Sequence, residues 1–309
     1  MKYLILLFVF LAFQSKGQEQ VYLFSYFINN GQDGLHLAYS KDGLNWEALN
    51  GGKPFLTPMV GKDKLMRDPS ILLGKDGIFH MVWTTGWRDR QIGFASSKDL
   101  INWSEQKAIP VMEHEPTALN CWAPEMVYDP QNKNYIIFWA TTIPGRHTDV
   151  ASSESVRGLN HRIYCTTTAD FKSFSPTKMF FNPNFSVIDA TILPKGNSFY
   201  MFLKNENPKP PEKNIRMTES KNASGPYSIE VSAPITGKYW AEGPSAIEIG
   251  EYVYVYFDKD VELKYGAIRS KNMKDWEDVS DKVTFPVETR HGSAFKVSNE
   301  VFQRLIQLK

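Results

Sequence analysis

Two cysteines, Cys121 and Cys165, are all that the 309 residues contain. Neither sits in a CxxC or Cys/His spacing, which excludes a disulfide scaffold and a cysteine-ligated metal site. Both are read as lying in one repeat unit, on its first and third strands, a separation that leaves them unpaired. HExxH, a clustered histidine pair and an EF-hand loop are absent too, so no catalytic metal is expected. Charge of one sign is also lacking: 35 basic and 34 acidic residues, interspersed, leave a net +1. Such a balance supplies no field for nucleic acid and no adhesive basic face, and it favours a neutral ligand. No Pro-, Gly- or Ser-rich linker divides the chain, and a single long apolar run occurs, residues 3–13. That run is too short to cross a bilayer. Set between Lys2 and the polar, small-residue exit at Gln14, Ser15, Lys16 and Gly17, it reads as a signal peptide, 1–17. The expectation is a secreted or periplasmic monomer, with no lipid-anchoring Cys at the exit and no membrane contact after cleavage.

What is abundant is aromatic: 14% Phe, Trp and Tyr, the last two being rings that stack on sugar faces as readily as they fill cores. What recurs is a turn. Ser40-Lys41-Asp42-Gly43-Leu44-Asn45-Trp46 returns as Ser97-Lys98-Asp99-Leu100-Ile101-Asn102-Trp103 and as Ser270-Lys271-Asn272-Met273-Lys274-Asp275-Trp276. Weaker copies begin at Thr168 and Ser220, which makes five. Each follows a short strand-like run, and its Asp/Asn core ahead of an aromatic suits a turn into an outer strand. Trp46, Trp103 and Trp276 are accordingly expected to pack in cores.

A second series opens each unit: Arg67-Asp68-Pro69-Ser70, Trp122-Ala123-Pro124-Glu125, Ile188-Asp189-Ala190-Thr191, Ala241-Glu242-Gly243-Pro244 and Arg290-His291-Gly292-Ser293. Strand-turn-strand-strand-turn-strand, repeated about every 50 to 70 residues, is a propeller blade with loop insertions. Residues 21–27 read as a second strand lacking a first, and 293–297 as a first strand lacking a second. Together they complete one blade. The fold class is therefore all-β, a five-bladed β-propeller spanning 18–309, its ring closed by joining the N- and C-terminal strands.

Inner strands of a propeller start at one end of the central channel, so their opening residues converge. Asp68, Glu125, Asp189, Glu242 and His291 are placed there. Like charges in a partly desolvated funnel raise at least one pKa, and glycoside hydrolysis needs that pairing of a protonated carboxyl with an ionised one. In this order the motifs resemble glycoside hydrolase family 43 over nearly the whole mature chain. The resemblance implies an inverting enzyme acting on α-L-arabinofuranosides, β-D-xylosides, galactosides or galactofuranosides. It implies Asp68 as general base, Asp189 as the carboxylate that tunes and orients the acid, and Glu242 as general acid. Glu125 departs from the commoner Asp of its motif and is a substrate contact or a rival base; Ala190 replaces the commoner Pro after Asp189. His291 is expected deep in the channel near water or a structural metal ion, with no cofactor required.

Trp83, Trp87, Trp122 and Trp240 are candidates to wall a sugar pocket, and Arg88, Arg90 and Lys204 to hydrogen-bond hydroxyls. Loops 61–66, 141–160 and 205–214 would shape the rim. An exo-acting α-L-arabinofuranosidase is the leading reading. A β-D-xylosidase or a galactosidase-type enzyme on the same scaffold, a related fructosidase or mannoside phosphorylase, and a non-catalytic sugar-binding propeller remain alternatives.

Overall fold

The structure, a computed structural model, describes residues 20–148, 159–207 and 212–308. The expected signal peptide (1–17), most of the polar insertion after Pro144 and most of the Pro-rich segment 207–211 lie outside the described residues. No helix among the described residues is long and apolar enough to cross a membrane.

Five antiparallel sheets form the ring, a five-bladed β-propeller. The first blade is β4 (Arg67–Leu73), β5 (Phe79–Thr84), β6 (Ile92–Ser97) and β7 (Lys107–Ile109). The second is β8 (Trp122–Asp129), β9 (Asn134–Thr142), β10 (His161–Thr168) and β11 (Lys178–Phe181). The third has three strands among the described residues, β12 (Val187–Lys195), β13 (Ser198–Asn205) and β14 (Asn214–Ser220). The fourth is β15 (Glu242–Ile249), β16 (Tyr252–Lys259), β17 (Lys264–Ser270) and β18 (Glu277–Asp278). The fifth joins the chain ends: β19 (Arg290–Val297) pairs with β1 (Val21–Phe27), followed by β2 (His36–Ser40) and β3 (Glu47–Ala48). The closure read from the sequence is thus the one observed, with Val21 opposite Val297 and Ser25 opposite Ser293.

Strand β9 shows why these sequences make blades. Its alternate residues Tyr135, Ile137 and Trp139 enter one core while Ile136, Phe138 and Ala140 enter the next. A strand covered on both faces has no polar side, so it reads as a continuous apolar run. Strand β1 does the same, sending Val21 and Leu23 one way and Tyr22, Phe24 and Tyr26 the other. Each buried Leu or Phe contributes about 1.5 to 3 kcal/mol, and Leu23→Ala would cost about 2 to 5 kcal/mol. The short helix α1 (Asn299–Leu305) is capped by Ser298 and adds Phe302 and Leu305 to the core beside the closure.

The repeated turn has one construction. Ser40 Oγ accepts from Gly43 N at 2.9 Å and Asp42 Oδ1 from Leu44 N at 2.8 Å; Ser97 with Asp99, Thr168 with Asp170 and Ser270 with Asn272 repeat it. Trp46 is buried, and Trp103 and Trp276 pack partly buried against cores. Cys121 and Cys165 are buried, unpaired, and on opposite faces of the second blade. Trp83 corrects an expectation: it is fully buried in the core between blades rather than at the mouth. Its ring fills the space left by Gly93, where a Cβ would stand 2.0 Å from Cε2.

Candidate functional site

All five inner strands begin with the same irregularity. Register breaks between Arg67 and Ser70, Trp122 and Glu125, Ile188 and Thr191, and Glu242 and Ser245, with a matching break opposite Arg290. Such a bulge bends a strand and re-aims its side chains. In four blades the second residue takes a left-handed backbone: Asp68 (φ 51), Ala123 (φ 46), Asp189 (φ 52) and Gly243 (φ 59). The fourth motif therefore aligns as Glu242-Gly243-Pro244-Ser245, one residue later than an alignment on its acid suggests.

This alignment sorts the site by depth. First-position residues Arg67, Trp122, Ile188, Glu242 and Arg290 all line one cavity of about 320 Å³ at the mouth. Among second-position residues, Asp68, Asp189 and His291 line it too. The ladder partners of the first positions add Thr84, Lys204, Asp258 and Phe27. Trp87, Trp122 and Trp240 complete the aromatic wall, Trp87 and Trp122 meeting edge to face at 5.7 Å. Asp68, Asp189 and Glu242, carried by three different blades, thus share one hollow.

Neighbouring blades hold each acid. Asp68 Oδ2 accepts from Thr84 Oγ1 at 2.7 Å, and Thr84 Oγ1 in turn accepts from Ala123 N at 2.8 Å in the next blade. Asp68 Oδ1 lies 3.4 Å from His291 Nδ1. Asp189 Oδ2 accepts from Gly243 N at 3.0 Å. Glu242 Oε2 accepts from Lys204 Nζ at 2.5 Å and Trp240 Nε1 at 3.1 Å. Burial pushes the Asp189 carboxyl up to about 6, His291 and Lys204 opposing. Burial also pushes Glu242 upward, but the Lys204 ammonium, aided by Trp240 and His291, outweighs it and holds the carboxyl at about 2. In the free protein, then, Asp189 holds a proton more readily than Glu242 does.

Glu125 departs from expectation. It stands at the fourth position, whose side chains latch adjacent blades: Ser293 Oγ accepts from Ile71 N at 3.0 Å and Ser245 Oγ from Ala294 N at 2.8 Å. Glu125 Oε2 likewise accepts from Thr191 Oγ1 at 2.8 Å, buried, and Glu125 does not line the cavity. Burial foremost, with Asp189 adding and Thr191 opposing, raises its carboxyl to about 8. Arg88 and Arg90 are also off the wall; Arg90 bonds the Pro116 carbonyl and pairs with Glu113.

Sequence reasoning passed over His161, Glu206, Lys213, Asp258, Asp260 and Arg290, which also line the cavity. His161 is buried, with Nδ1 3.0 Å from Thr142 Oγ1; burial, then Lys204 and Lys213, lower its pKa to about 3, so the ring is neutral. Glu242, Asp258 and Asp260 gather within 4.8 Å, but the Arg290 guanidinium bonds Asp258 and Asp260 and supplies the balancing charge. His291 faces acids of three blades, with Asp68 Oδ1 3.4 Å from its Nδ1 and the charges of Asp189 and Glu242 felt nearby.

Residues 18–302 match the family model described as "Probable glycosyl hydrolase domain", related to family 43. A curated α-L-arabinofuranosidase of Bifidobacterium longum subsp. longum is 25% identical over 184 aligned positions, 53% of this chain and 17% of that protein. The fold is shared with an α-L-arabinofuranosidase from Lactobacillus brevis at TM-score 0.53, 17% identity, 69% of this chain and 72% of the other. It is shared with a family-43 protein from Bacillus licheniformis at TM-score 0.53, 21% identity, 73% and 42% coverage, and with a family-43 β-1,3-galactosidase at TM-score 0.53, 12% identity, 72% and 79% coverage. With the family match spanning the whole ring and its mouth, this chain belongs to the glycosyl hydrolase family related to family 43.

Proposed function

We propose that this glycoside hydrolase is an exo-acting, inverting α-L-arabinofuranosidase that releases terminal arabinofuranose from plant-type oligosaccharides or polysaccharides. One observation carries the reading: Asp68, Asp189 and Glu242 line one small cavity walled by Trp87, Trp122 and Trp240. Asp68, steadied by Thr84 and His291, acts as general base on a water molecule. Glu242 protonates the leaving oxygen from across the sugar, and Asp189 raises and orients it. Donating that proton requires Glu242 to loosen its bond to Lys204 when substrate enters; exclusion of water favours the neutral carboxyl. Trp122, Trp87 and Trp240 stack on the sugar, and Lys204 and His291 contact it or its water. A cavity of about 320 Å³ supports one terminal unit bound at a time.

The likeness to the Bifidobacterium arabinofuranosidase favours that sugar over a β-D-xyloside, a galactoside or a galactofuranoside. We take the protein to act as a monomer, which light scattering of the purified protein tests. We place its action outside the cytoplasm, after removal of residues 1–17, which N-terminal sequencing of the exported protein tests. The decisive experiment compares wild type, Asp68→Asn and Glu242→Gln on alkyl and aryl α-L-arabinofuranosides, β-D-xylosides and β-D-galactosides. Turnover of the arabinofuranoside, lost by several orders of magnitude in Asp68→Asn, is expected. Binding without turnover in the wild type overturns the enzymatic reading in favour of a sugar-binding propeller; preference for another glycoside overturns the sugar.

A further inference from the structure

Beside the three acids lies a chain of charges that neither the motifs nor the catalytic roles account for. Lys204, at the end of β13, is 1% exposed, and its Nζ lies between two carboxylates. One is Glu242, at 2.5 Å; the other is Glu206, whose Oε2 is 2.8 Å away. Glu206 Oε1 pairs in turn with Lys213 Nζ, and both lysines lie over the Trp240 ring, at 5.3 and 4.9 Å from its centroid. The order along the wall is Lys213, Glu206, Lys204, Glu242. All four side chains are largely buried, so water screens these charges little.

We propose that Glu206 is a positioning residue that shares the Lys204 ammonium with Glu242, and thereby sets how readily Glu242 takes up the proton it must donate. The inference rests on the reading of Glu242 as general acid. Its physical ground is that an ammonium bound to one carboxylate alone stabilises that carboxylate's charge more than one divided between two. Glu206 draws Lys204 away from Glu242 and adds a like charge nearby, and both effects favour a proton on Glu242. Lys213 opposes by engaging the other oxygen of Glu206. The lowered pKa of Glu242 agrees with a Lys204 seated nearer to it than to Glu206.

Other charges face Glu242 and stay in place whatever is done to Glu206. From β19 come Arg290, whose guanidinium is 3.8 Å from Oε1, and His291. Asp258 and Asp260 lie beside it and are paired with Arg290. Asp189 of β12 acts from the adjacent blade, and Arg67 of β4 from across the mouth. Because these are common to wild type and variants, they cancel in a comparison.

The test is a carbon-NMR titration of the Glu242 side-chain carboxyl in ¹³C-labelled full-chain protein, the signal assigned by its loss in Glu242→Gln. Glu206→Gln should move the Glu242 midpoint down. Glu206→Asp should restore most of that, and Lys213→Met should move the midpoint up, since Glu206 then engages Lys204 alone. Opposite shifts in the two directions are what a merely structural role would not produce. If one variant does not fold, the sign of the other decides. Midpoints unchanged in the folded variants, or shifted the same way by both charge removals, overturn the proposal. The reading it rests on is tested separately: Glu242→Gln retaining full turnover of an alkyl arabinofuranoside sinks the acid assignment even if the midpoints move. Where both hold, Glu206→Gln lowers kcat/KM about tenfold at pH values above the Glu242 midpoint, where the protonated fraction of the acid falls.

Discussion

Replacing Lys204 by Met removes the one ammonium among the described residues within ion-pair distance of both Glu206 and Glu242. Breaking a buried pair from one side costs about 3 to 5 kcal/mol, a large part of the 5 to about 15 kcal/mol that holds a domain folded. Glu242 gives the sign of the pH dependence. Its carboxyl falls from an ordinary 4.5 to about 2 on folding because Lys204 outweighs burial. A carboxyl depressed in this way contributes stability that is fully present above 4.5 and lost as pH falls through about 2. The shift corresponds to about 3 kcal/mol. In Lys204→Met, burial and the charges of Asp189 and Asp258 push the Glu242 carboxyl above its unfolded value, and the sign reverses. The variant regains stability as pH falls through that raised value. Urea unfolding followed by tryptophan fluorescence should show a deficit of about 3 kcal/mol near neutral pH that shrinks by about pH 5. A deficit constant across that range, or none at neutral pH, would mean that Lys204 does not hold Glu242 ionised.

Gly292→Ala places a Cβ 1.7 Å from the Ser25 carbonyl oxygen, backbone that cannot yield, in the strand pair that closes the ring. Differential scanning calorimetry should show Tm lower by at least about 5 °C; an unchanged Tm would mean the closure is not as described. Thr84→Val removes the donor to Asp68 Oδ2 and strands the Ala123 N–H, so kcat should fall about tenfold with KM little changed. A KM effect alone would count against Asp68 as base. Trp122→Ala opens the wall that Trp122 builds with Trp87 and His161, and should raise KM about tenfold while kcat survives.

The ring was legible because its signals are local. A Ser/Thr, then Asp or Asn, then an aromatic builds the same turn wherever it falls, and the unpaired strands at 21–27 and 293–297 had only each other as partners. The three acids were legible because each sits in a strand-opening motif. The remainder of the site depends on register across strands. Aligning the fourth motif on its acid hid the equivalence of Glu242 with Arg67, Trp122 and Arg290; aligning it on Gly243-Pro244-Ser245 would have exposed the whole first-position ring. Trp83 shows the power of alternation, since its neighbour Thr84 faces the mouth and Trp83 must face the core. Glu125 was misplaced because motif likeness says nothing of depth, and the bulge turns a fourth-position side chain onto the neighbouring blade. His161, Glu206 and Lys213 come from strand ends beside long loops, where no motif marks which side chains meet.

In the proposed reaction Asp68 activates a water molecule on one side of the sugar and Glu242 delivers a proton on the other. Proton NMR of the first turnovers on an α-L-arabinofuranoside distinguishes this geometry from a retaining one. β-L-arabinofuranose should appear first, with the α-anomer growing in later by mutarotation; α-L-arabinofuranose appearing first would rule out Asp68 and Glu242 acting as base and acid on opposite sides.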